Sequence, residues 1–270
     1  MKQTHKHVNK AKKWQIALFP FNNAATNVYF AFYSYFTYYA IMYLTGSAST
    51  SLVGTVVSAA IVMLVSTFTS LFVPLMRVFD GITDPILGGI MDKTKTKFGK
   101  FRPFMIIGNA LLAFSVLCMM IIFRNVSISW VRWVVYILSY VIYVIGYTCQ
   151  CACTKAGQTC LTNDPKQRSQ FVIWNMVGQI GSIVLINVLA NGLMPIEAIC
   201  QKGSISYEVN GSLETLRGAA YGSQFYDIMV PIVIILSAIY TIMAVLAISE
   251  KDKPEYWGVS ETKATMKDYV

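Results

Sequence analysis

Residues 77–104 read RVFDGITDPILGGIMDKTKTKFGKFRPF. The first half is apolar except for Arg77, Asp80 and Asp84, and the cluster Lys93, Lys95, Lys97, Lys100 and Arg102 begins only after Met91. A charge near the middle of a membrane-spanning helix costs roughly 3 kcal/mol or more, so such residues pair, face a hydrated interior and mark ion or substrate paths. What these three charges mean therefore depends on whether they lie inside a span.

The rest of the chain says that they do. Of 270 residues, 55% are hydrophobic and only 13% are charged, whereas a soluble domain carries about 25% charged residues. This is the composition of an integral membrane protein. The formal charge of +9 is spread in short basic clusters between apolar runs, with no aromatic-interleaved basic patch, which excludes a nucleic-acid partner and leaves the lipid bilayer as the surrounding one. The basic start MKQTHKHVNKAKK is followed by an apolar stretch too long for a signal-peptide core and without a small-residue cleavage site.

Runs long enough to cross about 20 residues of bilayer fall at 21–44, 52–91, 103–123, 131–161, 171–194 and 225–248. The expectation is an all-α integral membrane protein: a tail over 1–20, a six-helix bundle over 21–248, and a second tail over 249–270. Basic residues orient it. Five lysines precede the first span, five Lys/Arg lie in 92–102, two in 162–170 and four after 249, against Arg124, Arg132, Lys202 and Arg217 on the other side. Both termini are expected in the cytoplasm of a multi-pass cell-membrane protein, with polar loop 195–224 outside. The 52–91 run would be about 60 Å long as one helix, twice the hydrocarbon thickness, so it must protrude, tilt or kink, with Pro74 and Pro85 as the places.

Of the six cysteines, Cys118, Cys149, Cys151, Cys153 and Cys160 fall in or near spans and Cys200 has no partner on its side, so no disulfide framework is expected. Cys149-x-Cys151-x-Cys153 could suit a soft metal, but only Cys149 and Cys153 share a helix face and no histidine is near. Buried thiols acting as small hydrophobes account for the run. No metal is expected beyond a coupling cation.

Arg77, Asp80 and Asp84 are spaced i, i+3, i+7, on one helix face. As a cation site, the second carboxylate leaves net negative charge, which in low dielectric demands a proton or a metal ion. Carboxylate and hydroxyl oxygens suit a hard cation such as sodium. As a structural lock, Asp80 neutralises Arg77 while Asp84-Pro85 reorganises the helix.

The string Arg77-x-x-Asp80-Gly-Ile-Thr-Asp84-Pro85-x-x-Gly88, followed by Asp92-x-Thr94-x-Thr96-x-x-Gly99-Lys100-Phe101-Arg102-Pro103, resembles the helix II signature and following loop of the glycoside-pentoside-hexuronide cation symporters, the melibiose permease family within the major facilitator superfamily. Tyr147-Thr148, with Asn163-Asp164 and Arg168 downstream, resembles the family's helix IV and its cytoplasmic exit. The aromatic-rich first helix agrees.

The resemblance implies the N-terminal six-helix bundle of a transporter. Asp80, Asp84 and Thr148 match the ligands of the coupling cation, sodium or a proton; Arg77 matches the charge partner. The segment with Asp92, Gly99, Lys100 and Arg102 matches the loop that latches and releases the two bundles as access alternates, and it also serves as a positive-inside anchor. The sugar side departs from the family. Where helix I usually carries a carboxylate, this chain has Asn22, Asn23 and Asn27; helix IV offers Cys151 and Lys155, and Asn175 stands where many members have a helix V arginine. Asn23, Asn27, Cys151, Lys155 and Asn175 are the expected substrate-side residues.

The expected function is cation-coupled symport of a sugar, glycoside or sugar acid, with no cofactor. The partner would be a C-terminal six-helix half, in cis or in trans, the end of this chain resembling the start of the central loop. The alternative is a membrane assembly subunit or degenerate half-transporter without transport activity, its charges holding a bundle together. An enzyme is not expected, since no Ser/His/Asp or metal-ligand constellation appears. Lys155 shares a helix face with Thr148 and lies about 10 Å along the axis from it. It would either meet a substrate or partner carboxylate or snorkel to the interface.

Overall fold

The computed structural model describes residues 9–44, 78, 81–94, 96–125, 129–191, 202–209, 212–221 and 223–257. A short helix α1 (Lys13–Leu18) precedes α2 (Phe21–Leu44). Residues 81–93 form α3, followed by α4 (Arg102–Asn125), α5 (Ser129–Leu161), α6 (Pro165–Asn191) and α7 (Ser223–Ile248). A 3-10 turn, Pro254–Tyr256, closes the described chain. Four of the described helices are long and apolar enough to cross a membrane: α4, α5, α6 and α7. At 33 residues, α5 is about 50 Å long and must extend beyond the hydrocarbon at one end or both.

The outer surface of the bundle is apolar, unlike that of a water-soluble protein, and the interior also holds polar side chains. Val172, Ile173, Trp174, Met176, Val177, Ile180, Val184 and Val188 line the outside of α6, each more than 40% exposed. The buried set includes Asn22, Ser115, Ser139, Thr148, Gln150, Thr154, Ser182, Ser237 and Thr241. Hydrocarbon as the outer solvent explains both halves. Exposed Ile and Val cost nothing there, while polar side chains must find partners inside the bundle.

Those partners tie the helices together. Ser115 Oγ of α4 donates to Ser139 O of α5 at 2.6 Å, and Gln150 Nε2 of α5 donates back to Met105 O at 2.7 Å. Ser237 Oγ of α7 reaches Asn109 Oδ1 of α4 at 2.6 Å. Between the first two bonds, α4 and α5 cross backbone to backbone: a Cβ on Gly146 would stand 2.9 Å from Gly108 O. Small residues at the crossing permit that approach.

Two apolar clusters fill the bundle. The larger joins Val28, Phe32 and Tyr33 of α2 to Leu112, Tyr136, Tyr143, Ile186 and Met229. Within it Tyr136, Tyr140, Tyr143 and Tyr147 run along one face of α5, with the Tyr33 ring stacked on Tyr143 at 4.7 Å. The second lies at the opposite end and joins Ala11, Ile16 and Phe19 to Met91, Phe101, Met105, Cys160, Phe171 and Ile248.

Three segments differ from the sequence expectation. α6 starts at Pro165, not near 171, because Asp164 accepts the Lys166 N–H at 3.0 Å and caps a helix that opens on proline. The leading tail holds α1, whose Gln15 and Ile16 are buried. The polar loop 195–224 carries an antiparallel hairpin, β1 (Lys202–Val209) with β2 (Ser212–Tyr221). The apolar helices remain all-α, and these are the only strands among the described residues.

Candidate transport site

α2 is the hub of the bundle, in contact with α4, α5, α6 and α7, and its three asparagines divide between two tasks. Asn22 is fully buried; its Nδ2 donates to Gln150 O at 2.9 Å and to Thr154 Oγ1 at 2.8 Å, clasping α2 to α5. Asn23 and Asn27 form a pair one turn apart, Asn27 Nδ2 donating to Asn23 O at 2.7 Å and Asn23 Oδ1 at 3.2 Å. Asn23 is only half-buried. α6 meets α2 beside this pair, a Cβ on Gly178 lying 3.4 Å from Ala24 Cβ. Asn175, one turn from Gly178, is half-buried, and its side-chain carbonyl oxygen has no hydrogen-bond partner among the described residues. On α5, Thr148 is buried, Cys151 half-buried and Lys155 exposed, so the shared face runs from the bundle interior outward.

On α3, Asp84 is exposed, and the apolar neighbours Ile82, Ile86 and Ile90 are at least 47% exposed. Arg77 and Asp80 lie outside the described residues. Of the expected cation ligands that are described, Asp84 carries an exposed carboxylate on α3 and Thr148 a buried hydroxyl on α5, both oxygen groups of the kind that hard cations prefer.

Beyond α3 the 92–102 segment is shaped by one internal ion pair and a tight turn, and it meets Asp252 from outside. Lys100 Nζ pairs with Asp92 Oδ1 at 2.6 Å. Thr96 Oγ1 donates to Gly99 O at 2.6 Å, and Gly99 N donates back to Thr96 O at 3.0 Å. Gly99 has φ +105°, and a Cβ there would collide with the carboxylate of Asp252. Both the left-handed backbone and the close approach require glycine. Arg102 Nε lies 3.5 Å from that same carboxylate.

The chain after α7 folds back over this end. Lys251 Nζ donates to Asn9 Oδ1, to Lys10 O at 2.6 Å and to Leu161 O at 2.9 Å. The last acceptor is a free carbonyl at the C-terminus of α5, where a cation is favoured. Partial burial is the largest influence on this amine and lowers its pKa from the usual lysine value. Gln167 clamps Ala11 reciprocally, accepting from Ala11 N at 2.8 Å and donating to Ala11 O at 3.0 Å. Lys12 pairs with Glu250 at 2.8 Å.

Sequence reasoning missed Asp252, Lys251 and Gln167. One signal pointed to the first: α4 opens at Arg102, after Phe101, with no Ser, Thr, Asp or Asn beside it to cap its free N–H groups. A helix without a local cap needs a distant one. Among the described residues Cys118, Cys149, Cys151, Cys153 and Cys160 form no disulfide, and no cluster of metal-binding side chains occurs.

Residues 24–268 match the family model described as MFS/sugar transport protein. The chain is 28% identical over 240 residues to lactose permease of Leuconostoc lactis, covering 87% of this chain and 34% of that protein. It is 31% identical over 120 residues to the inner membrane symporter YicJ of Escherichia coli (strain K12), covering 43% and 25%. Over 44 residues it is 50% identical to the glucuronide carrier protein homolog of the same organism, covering 16% and 10%. The chain thus spans about a third or less of the length of these curated relatives and of lactose permease of Lactobacillus helveticus.

Proposed function

The chain belongs to the MFS/sugar transport protein family, a family of transporters rather than enzymes, and we propose that it acts as the N-terminal six-helix half of a cation-coupled symporter for a sugar, glycoside or sugar acid. The observation that carries this reading is Asp84. A carboxylate stands exposed on a helix that also exposes Ile82, Ile86 and Ile90 while burying Met91. Lipid would cover the isoleucines at no cost but not the carboxylate, so this side of α3 calls for a hydrated cavity wall and a charge-compensating ion. Asp80, Asp84 and Thr148 would hold sodium or a proton, with Arg77 balancing the remaining charge.

Substrate would lie against α2, α5 and α6. Asn23 and Asn27 offer amide donors and acceptors, the unpaired carbonyl of Asn175 offers an acceptor for a hydroxyl, and Cys151 and Lys155 complete the side. The relatives' names support the substrate class: one is a lactose permease and another a glucuronide carrier homolog. An exposed ammonium at Lys155 would favour a substrate bearing a carboxylate. The opposing wall would come from a C-terminal half, joined or separate, which would also cover α3. The clustering of Lys/Arg at the end carrying 9–12, 92–102 and 249–257 supports a cytoplasmic location for that end in the cell membrane. Alternating access would then rock the two halves about the site.

Cation-dependent uptake of radiolabelled galactosides and glucuronides tests the reading, in a transport-deficient host expressing this chain with and without a C-terminal half. Uptake driven by a sodium or proton gradient when the half is present is expected. Uptake in neither condition would favour an assembly subunit.

A further inference from the structure

Asp252 lies four residues beyond the last residue of α7, yet its carboxylate serves a helix 150 residues away. Oδ1 accepts the backbone N–H of Lys100 at 2.8 Å; Oδ2 accepts those of Phe101 at 3.0 Å and Arg102 at 3.1 Å. Trp257 Nε1 donates to Oδ1 at 2.9 Å, and Arg102 Nε approaches Oδ2 at 3.5 Å. The side chain is completely buried. A carboxylate removed from solvent is stable only when fully satisfied, and four N–H donors plus a guanidinium do that. They include the free N–H groups at the start of α4, where the helix dipole also favours negative charge. Gly99, by lacking a Cβ, leaves the space that the carboxylate fills.

From this geometry we propose that Asp252 is a positioning residue for transport: it locks the 92–102 loop to the strap formed by 249–257, so that the loop and the chain leaving α7 move as one unit. Three features follow from it. The loop's conformation depends on a residue outside the loop. The Asp92–Lys100 ion pair is held in register because Lys100 is fixed at its backbone by Asp252. The strap is in turn fastened to the first described residues and to the end of α5 through Lys251, so displacement of the strap releases all these contacts together.

The proposal rests on the reading of 92–102 as the gating loop, and its test separates the two. Backbone hydrogen exchange is measured on the purified full chain in nanodiscs for wild type, Asp252→Ala, Asp252→Asn and Gly99→Ala. Loss of a helix cap of ordinary strength raises local opening about five- to thirty-fold. Amides of 100–102 should exchange faster by that factor in Asp252→Ala and Gly99→Ala, and by less in Asp252→Asn, while those of 171–190 stay unchanged. In uptake assays with the C-terminal half, maximal rate should fall with substrate KM unaltered. Unchanged exchange at 100–102 in every variant would overturn the proposal, as would faster exchange with wild-type maximal rate. Should Asp252→Ala fail to accumulate, the isosteric Asp252→Asn carries both measurements. Absence of uptake in wild type would sink the transporter reading, whereas the exchange comparison still decides whether Asp252 holds the loop.

Discussion

Adding one methyl group at Gly146 tests whether the α4–α5 crossing is set by backbone contact. A Cβ at this position would lie 2.9 Å from Gly108 O and 3.1 Å from both Leu111 Cβ and Leu112 Cγ. The first of these atoms belongs to helix backbone and cannot rotate away. The helices must separate by about half an ångström, which places the change among overpacking substitutions costing about 1–3 kcal/mol. Alanine recovers about 1 kcal/mol through its helix propensity, leaving a net loss of up to about 2 kcal/mol. The flanking bonds at 2.6 and 2.7 Å can lengthen by a few tenths of an ångström without breaking, so they add little. Gly181 on α6 is the control, since nothing among the described residues lies within 4 Å of its Cβ position. Gly181→Ala should be neutral or stabilising by up to about 1 kcal/mol. Equilibrium unfolding of the purified protein in detergent reads both. Gly146→Ala as stable as Gly181→Ala, each relative to wild type, would refute close backbone packing at this crossing.

Two further predictions concern the proposed site and the orientation. Lys155→Gln should lower uptake of carboxylate-bearing sugars at least tenfold while sparing neutral ones, and unaltered uptake of every substrate would return Lys155 to the membrane surface. Single cysteines at positions 5, 97 and 210, in a background without the native cysteines, should react with an impermeant reagent from outside only at 210; labelling at 5 or 97 would reverse the orientation.

Long apolar runs were legible because bilayer thickness imposes their length: α2 and the ends of α5 and α7 fall within about two residues of the expected bounds. The pairing of Lys100 with Asp92 joins two residues of the expected gating loop. Boundaries governed by local chemistry were read less well. Asp164-Pro165 is a helix start, but Lys166 and Arg168 made the segment look like a loop. Asn210-Gly211, between β1 and β2, is a favoured dipeptide of two-residue hairpin turns inside what composition described only as a polar loop. Asn22 was grouped with Asn23 and Asn27, and only the bundle geometry shows it turned toward Gln150 and Thr154. Asp252 was hidden for a different reason. Three of its hydrogen bonds come from the backbone N–H groups of Lys100, Phe101 and Arg102, which carry no residue type, so the pattern of side chains gave little reason to pair position 252 with 100–102.

In the proposed function Asp84 binds the coupling cation. The most direct measurement compares wild type and Asp84→Asn, each expressed with a C-terminal half, for sugar uptake as sodium and proton gradients are varied independently. The substitution removes an anionic ligand with little change in volume. Cation-stimulated uptake should collapse to the gradient-independent level while the amount of protein in the membrane stays the same. Uptake by Asp84→Asn with the wild-type dependence on both sodium and protons would contradict the assignment.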